Sequence, residues 1–388
     1  MAVVEGFELV RVRLPLLGAW TSGAGSFSIR DSLLVRAVLR GPAGEVEGWG
    51  ECPALPEPTY SSEYTAEAAE VSERFLVPAL LGAELSSARD VAGALGRVKG
   101  HPMAKTAFEA ALIDAELRAE GASMASYLAR ASEVGARPAA AVPAGVTLGL
   151  VDDLGQLLGE VEHYVGQGYR SVKLKISPSL GLSAPVALAA VRERWPHVLL
   201  AADANAAYEG LSPEEAASQL SRLDSLELAF VEQPLGEDDL VGHARLARLI
   251  KTPVCLDEAL ASPGLVEAAL RLGACSVVNI KPGRLGGYLA AVRVHDLCTR
   301  QRVALRLGGM VETGIARAAN VALAALAGFN LPGDLSANGR FFEEDVAGPL
   351  TVQADGMIAV PAGAGNGVEV ARSVVDRAAC WRRFFRAA

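Results

Sequence analysis

Two patterns of apolar residues divide the chain into parts. Over about the first 60 residues apolar and polar positions alternate, as in Ser32–Leu39, which predicts strands, and GPAGEVEGWGE predicts a hairpin. A Gly/Ser-rich loop is expected at Thr21–Ser28. From Ser62 to about Ala131 apolar residues lie three and four positions apart, which predicts helices. The first part is therefore expected to be an α+β unit.

From about Ala139 short apolar segments alternate with amphipathic stretches, and successive segments begin roughly 25–32 residues apart, about one strand plus one helix. The segments are VPAGVTLGL, SVKLKI, VLLAADA, ELAFVEQP, TPVCLDE, CSVVNIKP, RVALRLGG and the less regular LPGDLSA. Eight such units predict a parallel sheet closed into a (β/α)8 barrel, an α/β fold. An open doubly wound sheet is the alternative, although Gly145–Gly149 lacks a dinucleotide-binding turn.

Composition excludes several classes of protein. The net charge is -9 with acids and bases interspersed, which argues against a nucleic-acid partner. No apolar run approaches the ~20 residues of a membrane span, and the start lacks the pattern of a signal peptide. The 5 cysteines and 5 histidines show no metal-ligand spacing. A cytoplasmic protein with reduced thiols is expected.

Polar residues at the ends of the apolar segments carry the candidate chemistry. Alternation along a barrel strand predicts that Lys173 and Lys175 point inward together. The same rule directs further side chains inward on the following segments: Asp203, Glu232, Asp257, Asn279 and Lys281. All fall at the carboxyl ends of strands, where barrels hold their functional groups.

The acids Asp203, Glu232 and Asp257 would end strands three, four and five. Adjacent carboxylates with no basic partner between them repel unless they hold a hard cation, and oxygen ligands suit Mg2+. Glu258 is an alternative ligand, although alternation disfavours it, and Lys173 could instead form a structural ion pair with Asp203.

The amines of Lys175 and Lys281 would end strands two and six, on opposite walls of the barrel. Such amines can remove a proton from one face of a substrate and return it to the other, or neutralise developing charge. Because the proton next to a carboxylate is weakly acidic, Mg2+ would be needed to stabilise the enediolate. The sequence therefore predicts Mg2+-dependent proton abstraction from a small carboxylate.

At these residues the chain resembles the enolase superfamily, in the muconate-lactonizing-enzyme subgroup and its N-succinylamino acid racemase/o-succinylbenzoate synthase family. The resemblance runs nearly end to end. It is carried by YSSEY (60–64), IDAEL (113–117), KLKI (173–176), DAN (203–205), EQPL (232–235), CLDE (255–258), NIKPGRLGGY (279–288), GGMVETGIARAANVALA (308–324) and LPGDLSA (331–337). The long segments are specific, whereas DAN alone would indicate only the superfamily.

The resemblance implies a (β/α)8-type barrel with an N-terminal α+β capping domain. We expect the cap at 1–135, completed by part of the C-terminal tail, the barrel at 136–345, and a segment at 346–388 that packs on both. From its pattern alone, the tail ending at Trp381 and Phe385 covers the barrel or returns to the first unit. A homo-oligomer without nucleic-acid or membrane partners is expected.

The resemblance also implies roles for particular residues. Lys175 and Lys281 would be the acid/base catalysts, and Asp203, Glu232 and Asp257 would bind Mg2+, with Mn2+ as a substitute. Residues expected to support the site or bind substrate are Lys173, Asn205, Arg284, Glu258, Thr147, Gly309 and Met310. Arg284 matches a position that the family associates with racemase activity, and the alternative is an ordinary salt bridge.

Members of the family dehydrate a cyclohexadiene carboxylate to o-succinylbenzoate in menaquinone biosynthesis, and many racemise N-succinylamino acids. We expect an o-succinylbenzoate synthase, alone or with racemase activity. The alternatives are a dedicated N-acylamino acid racemase, a dipeptide epimerase, a cycloisomerase and a non-catalytic small-molecule-binding barrel. The family pattern differs at Arg306, Leu307 and the Trp20–Gly25 loop. These positions are expected to line the pocket and to affect the substrate, not the metal or the lysines.

Overall fold

The first unit is a four-stranded antiparallel sheet with helices after it. The computed structural model describes residues 3–22, 25–41 and 44–387. The sheet has the order β13-β1-β2-β3 and contains β1 (Val3–Ser22), β2 (Gly25–Gly41), β3 (Gly44–Cys52) and β13 (Ala379–Arg386). The helices that follow β3 are α1 (Thr65–Val71), α2 (Val77–Leu81), α3 (Val91–Ala94), α4 (Pro102–Glu120) and α5 (Met124–Ala131), with a π-helical turn at Ser72–Leu76 and a 3-10 turn at Ala88–Asp90.

The second unit is a curled parallel sheet of seven strands in sequence order, surrounded by helices. Its strands are β5 (Val146–Leu148), β6 (Ser171–Lys175), β7 (Leu199–Asp203), β8 (Val231–Glu232), β9 (Val254–Leu256), β10 (Val277–Ile280) and β11 (Ala304–Leu307). Its helices are α6 (Leu154–Gly166), α7 (Ala184–Arg194), α8 (Pro213–Leu220), α9 (Leu240–Leu249), α10 (Pro263–Leu272), α11 (Pro282–Leu285), α12 (Tyr288–Gln301) and α13 (Gly314–Ala324). Further elements are β4 (Ala141–Pro143), β12 (Met357–Ala359), α14 (Arg372–Ala378) and 3-10 turns at Ser221–Leu226 and Asn338–Arg340.

The eighth predicted segment closes the barrel without forming a strand. Leu331 N and Asp334 N donate to carbonyls of β11 at 3.1 and 2.8 Å, and Gly145 N, beside β5, donates to Leu335 O at 3.2 Å. The chain at 331–335 therefore bridges the first and last strands. The fold is the predicted (β/α)8-type barrel, modified at its eighth position, with an N-terminal capping domain.

Two sequence expectations about the cap are refined. The predicted loop at 21–28 is wrong for the described residues, because the β1–β2 ladder continues to the pair Ser22 and Gly25, and residues 23 and 24 lie outside the described residues. The C-terminal tail returns to the first unit, since β13 pairs with β1 from Gly6↔Arg386 to Val12↔Ala379. No helix in the described part of the chain is long and apolar enough to cross a membrane.

Helix α4 packs between the cap sheet and the barrel and is buried on most of its length. Pro102 begins it, and Glu63 accepts hydrogen bonds from the first free amides, Met103 N and Ala104 N, both at 2.8 Å. A carboxylate at this position satisfies unpaired donors at a helix N-terminus. On the barrel side, Thr106 donates to Pro282 O at 3.2 Å. The helix thus joins the cap to the barrel beside the loop that follows β10.

Strand β3 approaches α4 closely because two of its residues have no side chain. A Cβ built at Gly48 would lie 2.1 Å from Ala115 N, and one at Gly50 would lie 2.0 Å from Ala107 O. Both neighbours are helix backbone atoms that cannot rotate away. The spacing Gly-x-Gly on one face of β3 is therefore what allows this strand and α4 to touch.

We predict that Gly50→Ala destabilises the protein strongly, because overpacking against backbone costs about 1–3 kcal/mol and sometimes more. The control is Gly18→Ala, where an added Cβ meets no atom within 4 Å. Chemical denaturation should give a clearly lower free energy of unfolding for Gly50→Ala alone. Equal stability of the two variants would contradict this packing argument.

Candidate active site

Charged side chains from neighbouring strands meet at the carboxyl end of the barrel. The parallel register pairs Lys173 with Ala201, Lys175 with Asp203, and Asp203 with Glu232. Asp257 follows β9 and Lys281 follows β10. Strand order alone therefore brings these groups to one end, as parallel strands require.

A cavity opens at this end of the barrel. Predicted residues in its wall are Thr147, Lys173, Lys175, Asp203, Asn205, Glu232, Asp257, Lys281, Gly309 and Met310. The predicted residues Arg284 and Glu258 contact this set from a neighbouring cleft.

Lys173 is buried among carboxylates that come from three different segments. Its Nζ lies 2.9 Å from both oxygens of Glu232, 2.9 Å from Asp203 Oδ2 and 3.0 Å from Asp334 Oδ2. Burial opposes its charge, but the nearby charges of Asp203, Asp334 and Glu232 raise the pKa of Lys173 well above its usual value. Lys173 is thus held as an ammonium, and the expected structural pair with Asp203 is one part of a larger network.

Arg306 corrects the expectation that no basic group lies among the carboxylates. Its Nη1 donates to Glu232 Oε2 at 2.8 Å, and its guanidinium spans both oxygens of Asp334 at 2.7 and 3.1 Å. Its side chain is only 3% exposed and is absent from the cavity wall, so the expectation that it lines the pocket is also wrong. Arg306 contacts Glu232, a predicted metal ligand, because its long inward side chain on β11 reaches β8.

Lys175, at the end of β6, begins a chain of hydrogen bonds that passes through the residues after β7 to the residues after β9. Its Nζ donates to Asp203 Oδ2 at 2.7 Å and to Asn205 Oδ1. Asn205 Nδ2 donates in turn to Glu258 Oε1 at 2.8 Å. Despite burial, the ammonium groups of Lys173 and Lys175 lower the pKa of Asp203, so this acid is ionised.

Lys281 lies on the opposite wall, where the cap contributes a residue. Its Nζ donates to Asp257 Oδ2 at 2.8 Å and to the Tyr60 hydroxyl oxygen at 2.7 Å. Tyr60 donates to Asp257 Oδ2 at 3.1 Å, and Arg284 Nη1 donates to Asp257 Oδ1 at 2.8 Å. Burial opposes ionisation of Asp257, but Arg284 and Lys281 lower its pKa. Arg284 is thus a partner of the site and not a solvent-exposed salt bridge.

The donor set fits a hard divalent cation by its chemistry. Three buried carboxylates end adjacent strands. Burial and the charge of Asp203 raise the pKa of Glu232, although Lys173 and Arg306 act to lower it. Glu258 Oε2 is a buried acceptor without a hydrogen-bond partner among the described residues. A cation held by the three carboxylates would favour the ionised form of Glu232. In the described part of the chain no three His, Cys, Asp or Glu side chains are already spaced around one point, and the Nζ atoms of Lys173 and Lys281 contact Glu232 and Asp257 at 2.9 and 2.8 Å.

Several residues of this region were not predicted from the sequence. Asp334 lies in an irregular segment, where strand alternation cannot predict its direction, and Tyr60 comes from the cap, 197 residues from its partner Asp257. Arg340 was also missed, although it adjoins the LPGDLSA segment. The motifs containing Tyr60 and Asp334 were already part of the resemblance, so an aligned family could have identified both.

Comparisons with known proteins agree with this geometry. The sequence model of the family described as Enolase C-terminal domain-like matches residues 156–374. The chain is 47% identical over 375 residues to N-succinylamino acid racemase of Amycolatopsis sp, covering 96% of each chain. It is 36% identical over 377 residues to o-succinylbenzoate synthase of Bacillus subtilis (strain 168), covering 97% of each. A Listeria innocua Clip11262 structure, described as a member of the enolase superfamily, matches with TM-score 0.91 and 32% identity over 100% of both chains.

We predict that Arg306→Met lowers the free energy of unfolding by about 3–5 kcal/mol, because Glu232 and Asp334 then lose a buried positive partner. Adding Asp334→Asn should recover part of the loss, since one of those charges is then removed. The control is Arg300→Met, whose pair with Glu133 is 54% and 77% exposed and should contribute at most about 1 kcal/mol. Chemical denaturation of the four proteins measures these differences. A loss for Arg306→Met no larger than for Arg300→Met would refute the argument.

Proposed function

Because this chain belongs to the N-succinylamino acid racemase/o-succinylbenzoate synthase family of the enolase superfamily, we propose that it removes the proton next to the carboxylate of a small-molecule substrate. Its reaction is racemisation of N-succinylamino acids, synthesis of o-succinylbenzoate, or both. Relatives with both names cover nearly the whole chain, and the racemase is the more similar of the two described above.

One observation carries this proposal, namely the two lysines on opposite walls. Lys175 ends β6 and Lys281 follows β10, four strands apart in the barrel order. Each lysine shares its carboxylate with a second cation: Lys173 on Asp203, and Arg284 on Asp257. A substrate between the two amines therefore meets similar groups on both faces. This arrangement suits a proton that leaves one face and returns to the other.

The chain's own residues would move the proton in two steps. The neutral amine of Lys175 or Lys281 accepts the α-proton at Nζ, and the opposite ammonium donates a proton to the other face for racemisation. In dehydration one lysine accepts the α-proton and returns a proton to the departing hydroxyl, which leaves as water, while the other lysine remains cationic beside the developing charge. Lys173 would hold Asp203 and Glu232 in place and add positive charge near the substrate carboxylate.

Enolase superfamily members use Mg2+, and we propose Asp203, Glu232 and Asp257 as the residues that would hold it here. Bound Mg2+ would supply positive charge to the carboxylate oxygens as the α-proton leaves. Asn205 and Glu258 would orient this set through their mutual hydrogen bond. The acids fall on three adjacent strands, which supports the assignment.

A two-substrate assay tests the proposal. The purified protein is given the cyclohexadiene precursor of o-succinylbenzoate and, separately, N-succinyl-phenylalanine, each with Mg2+ and with excess EDTA. We expect turnover of at least one substrate with Mg2+ and its loss with EDTA, with Mn2+ restoring activity. Turnover of neither substrate, or full activity after metal removal, would overturn the proposal.

Proton exchange in D2O tests the two lysines separately. If the reaction includes racemisation, wild-type protein should exchange the α-proton of both enantiomers of N-succinyl-phenylalanine. Lys175→Ala and Lys281→Ala should each lose exchange with a different enantiomer by about 10²–10⁴-fold, the contribution expected of an acid/base group. The control is Lys251→Ala, which replaces an exposed lysine outside the cavity. Normal exchange of both enantiomers by both cavity variants would sink the assignment.

A further inference from the structure

Most cations in the cavity wall are already neutralised by carboxylates. Lys173, Lys175 and Lys281 pair with the acids that end β7 to β9. Arg317 is buried and pairs with Glu312 at 3.0 Å. Each of these cations therefore already has an acid partner.

Arg340 is the exception. It lines the cavity and is half-buried, but no Asp or Glu oxygen lies within 4.0 Å of its guanidinium in the part of the chain that the structure describes. Its hydrogen-bond acceptors are neutral: the Tyr164 hydroxyl at 3.2 Å and the carbonyl of Thr147. A cation facing a cavity without an acid partner is a ready site for an anionic group of a ligand.

Aromatic rings hold this guanidinium in place. Its central carbon lies 5.4 Å from the ring of Trp20, 4.9 Å from that of Tyr164 and 5.0 Å from that of Phe341. The Trp20 and Phe341 rings also meet edge to face at 5.8 Å. Stacking against rings fixes the plane of an arginine without neutralising its charge. The residue is thus positioned before any ligand arrives.

Arg340 lies across the cavity from Asp257, one of the proposed metal ligands. It contacts Thr147 on β5, whereas Asp257 follows β9, four strands away in the barrel order. Thr147 Oγ1 donates to Asp334 Oδ1 at 2.7 Å, and Asp334 contacts Lys173, so only two side chains separate Arg340 from Lys173. A substrate held at the acids would extend across the cavity toward this arginine.

We propose that Arg340 binds a second carboxylate, carried by the part of the substrate remote from the reacting carbon, and thereby selects dicarboxylic substrates. The inference rests on the proposed function, because that function orients the reacting carboxylate toward β7–β9. The succinyl group of both proposed substrate types ends in such a carboxylate. Trp20, at the end of the β1–β2 hairpin, would act with Arg340 by holding its guanidinium.

The test compares two ligands that differ only at the distal group: N-succinyl-phenylalanine and the analogue whose distal carboxylate is a carboxamide. Affinities are measured by calorimetry with Mg2+ for wild-type protein, Arg340→Met and Arg340→Lys, and α-proton exchange is followed separately. Arg340→Met should weaken binding of the succinyl compound by about 10- to 100-fold, the effect of losing one charged hydrogen bond, and leave the analogue unchanged. Arg340→Lys should keep part of the preference.

The matched control is Arg170→Met. Like Arg340, Arg170 has neutral hydrogen-bond acceptors in the described part of the chain, here the carbonyls of Val165 and Tyr169, but it lies at the other end of β6, away from the cavity. If Arg340→Met weakens binding of both ligands equally, the residue has a structural role and the inference is overturned. The inference is also overturned if Arg340→Met keeps the preference for the succinyl compound, or if wild-type protein binds neither ligand. A lost preference in a protein that does not exchange the α-proton would support the inference while refuting the proposed function.

Discussion

Compensation of buried charge across strands is the constraint on which this barrel depends. A single ammonium, that of Lys173, lies within 3.0 Å of carboxylates from β7, β8 and the segment that closes the barrel. Arg306 adds a second cation to two of these acids. Because removing one charge leaves its partners unpaired in a buried region, the network acts as a unit. It also explains how the irregular segment at 331–335 keeps its position with few backbone hydrogen bonds.

The cap completes the site as well as covering it. Two glycines of β3 let α4 pack closely, and α4 in turn contacts the loop after β10 that carries Lys281 and Arg284. From the chain just before α1, Tyr60 reaches both Lys281 and Asp257. The surroundings of Lys281, one proposed acid/base group, therefore depend on Tyr60, which lies 221 residues away in the sequence. A barrel without its cap would lack this hydroxyl.

The sequence predicted features that follow from local periodicity. Alternation gave seven barrel strands and the inward direction of Lys173 and Lys175, and strand order alone implied that Lys175 and Lys281 lie on opposite walls. It could not give contacts that depend on side-chain reach or irregular backbone. Arg306 was expected to affect only substrate choice, yet it reaches from β11 to Glu232 on β8. Asp334 lies in a segment without a strand pattern. The end of the β1–β2 hairpin was predicted as a loop because Gly and Ser residues are frequent both in loops and in hairpin ends.

The two proposed acid/base groups have matched surroundings, and this bears on the choice between the two reactions. Each lysine shares one carboxylate with a second basic group: Lys173 contacts Asp203 beside Lys175, and Arg284 contacts Asp257 beside Lys281. A dehydratase needs only one lysine to exchange protons, whereas a racemase needs both to do so in alternation. Equivalent charge on the two faces is required only by the second reaction. The Tyr60 hydroxyl breaks this equivalence on the side of Lys281, so any difference between the two proton transfers should arise from the cap and not from the barrel.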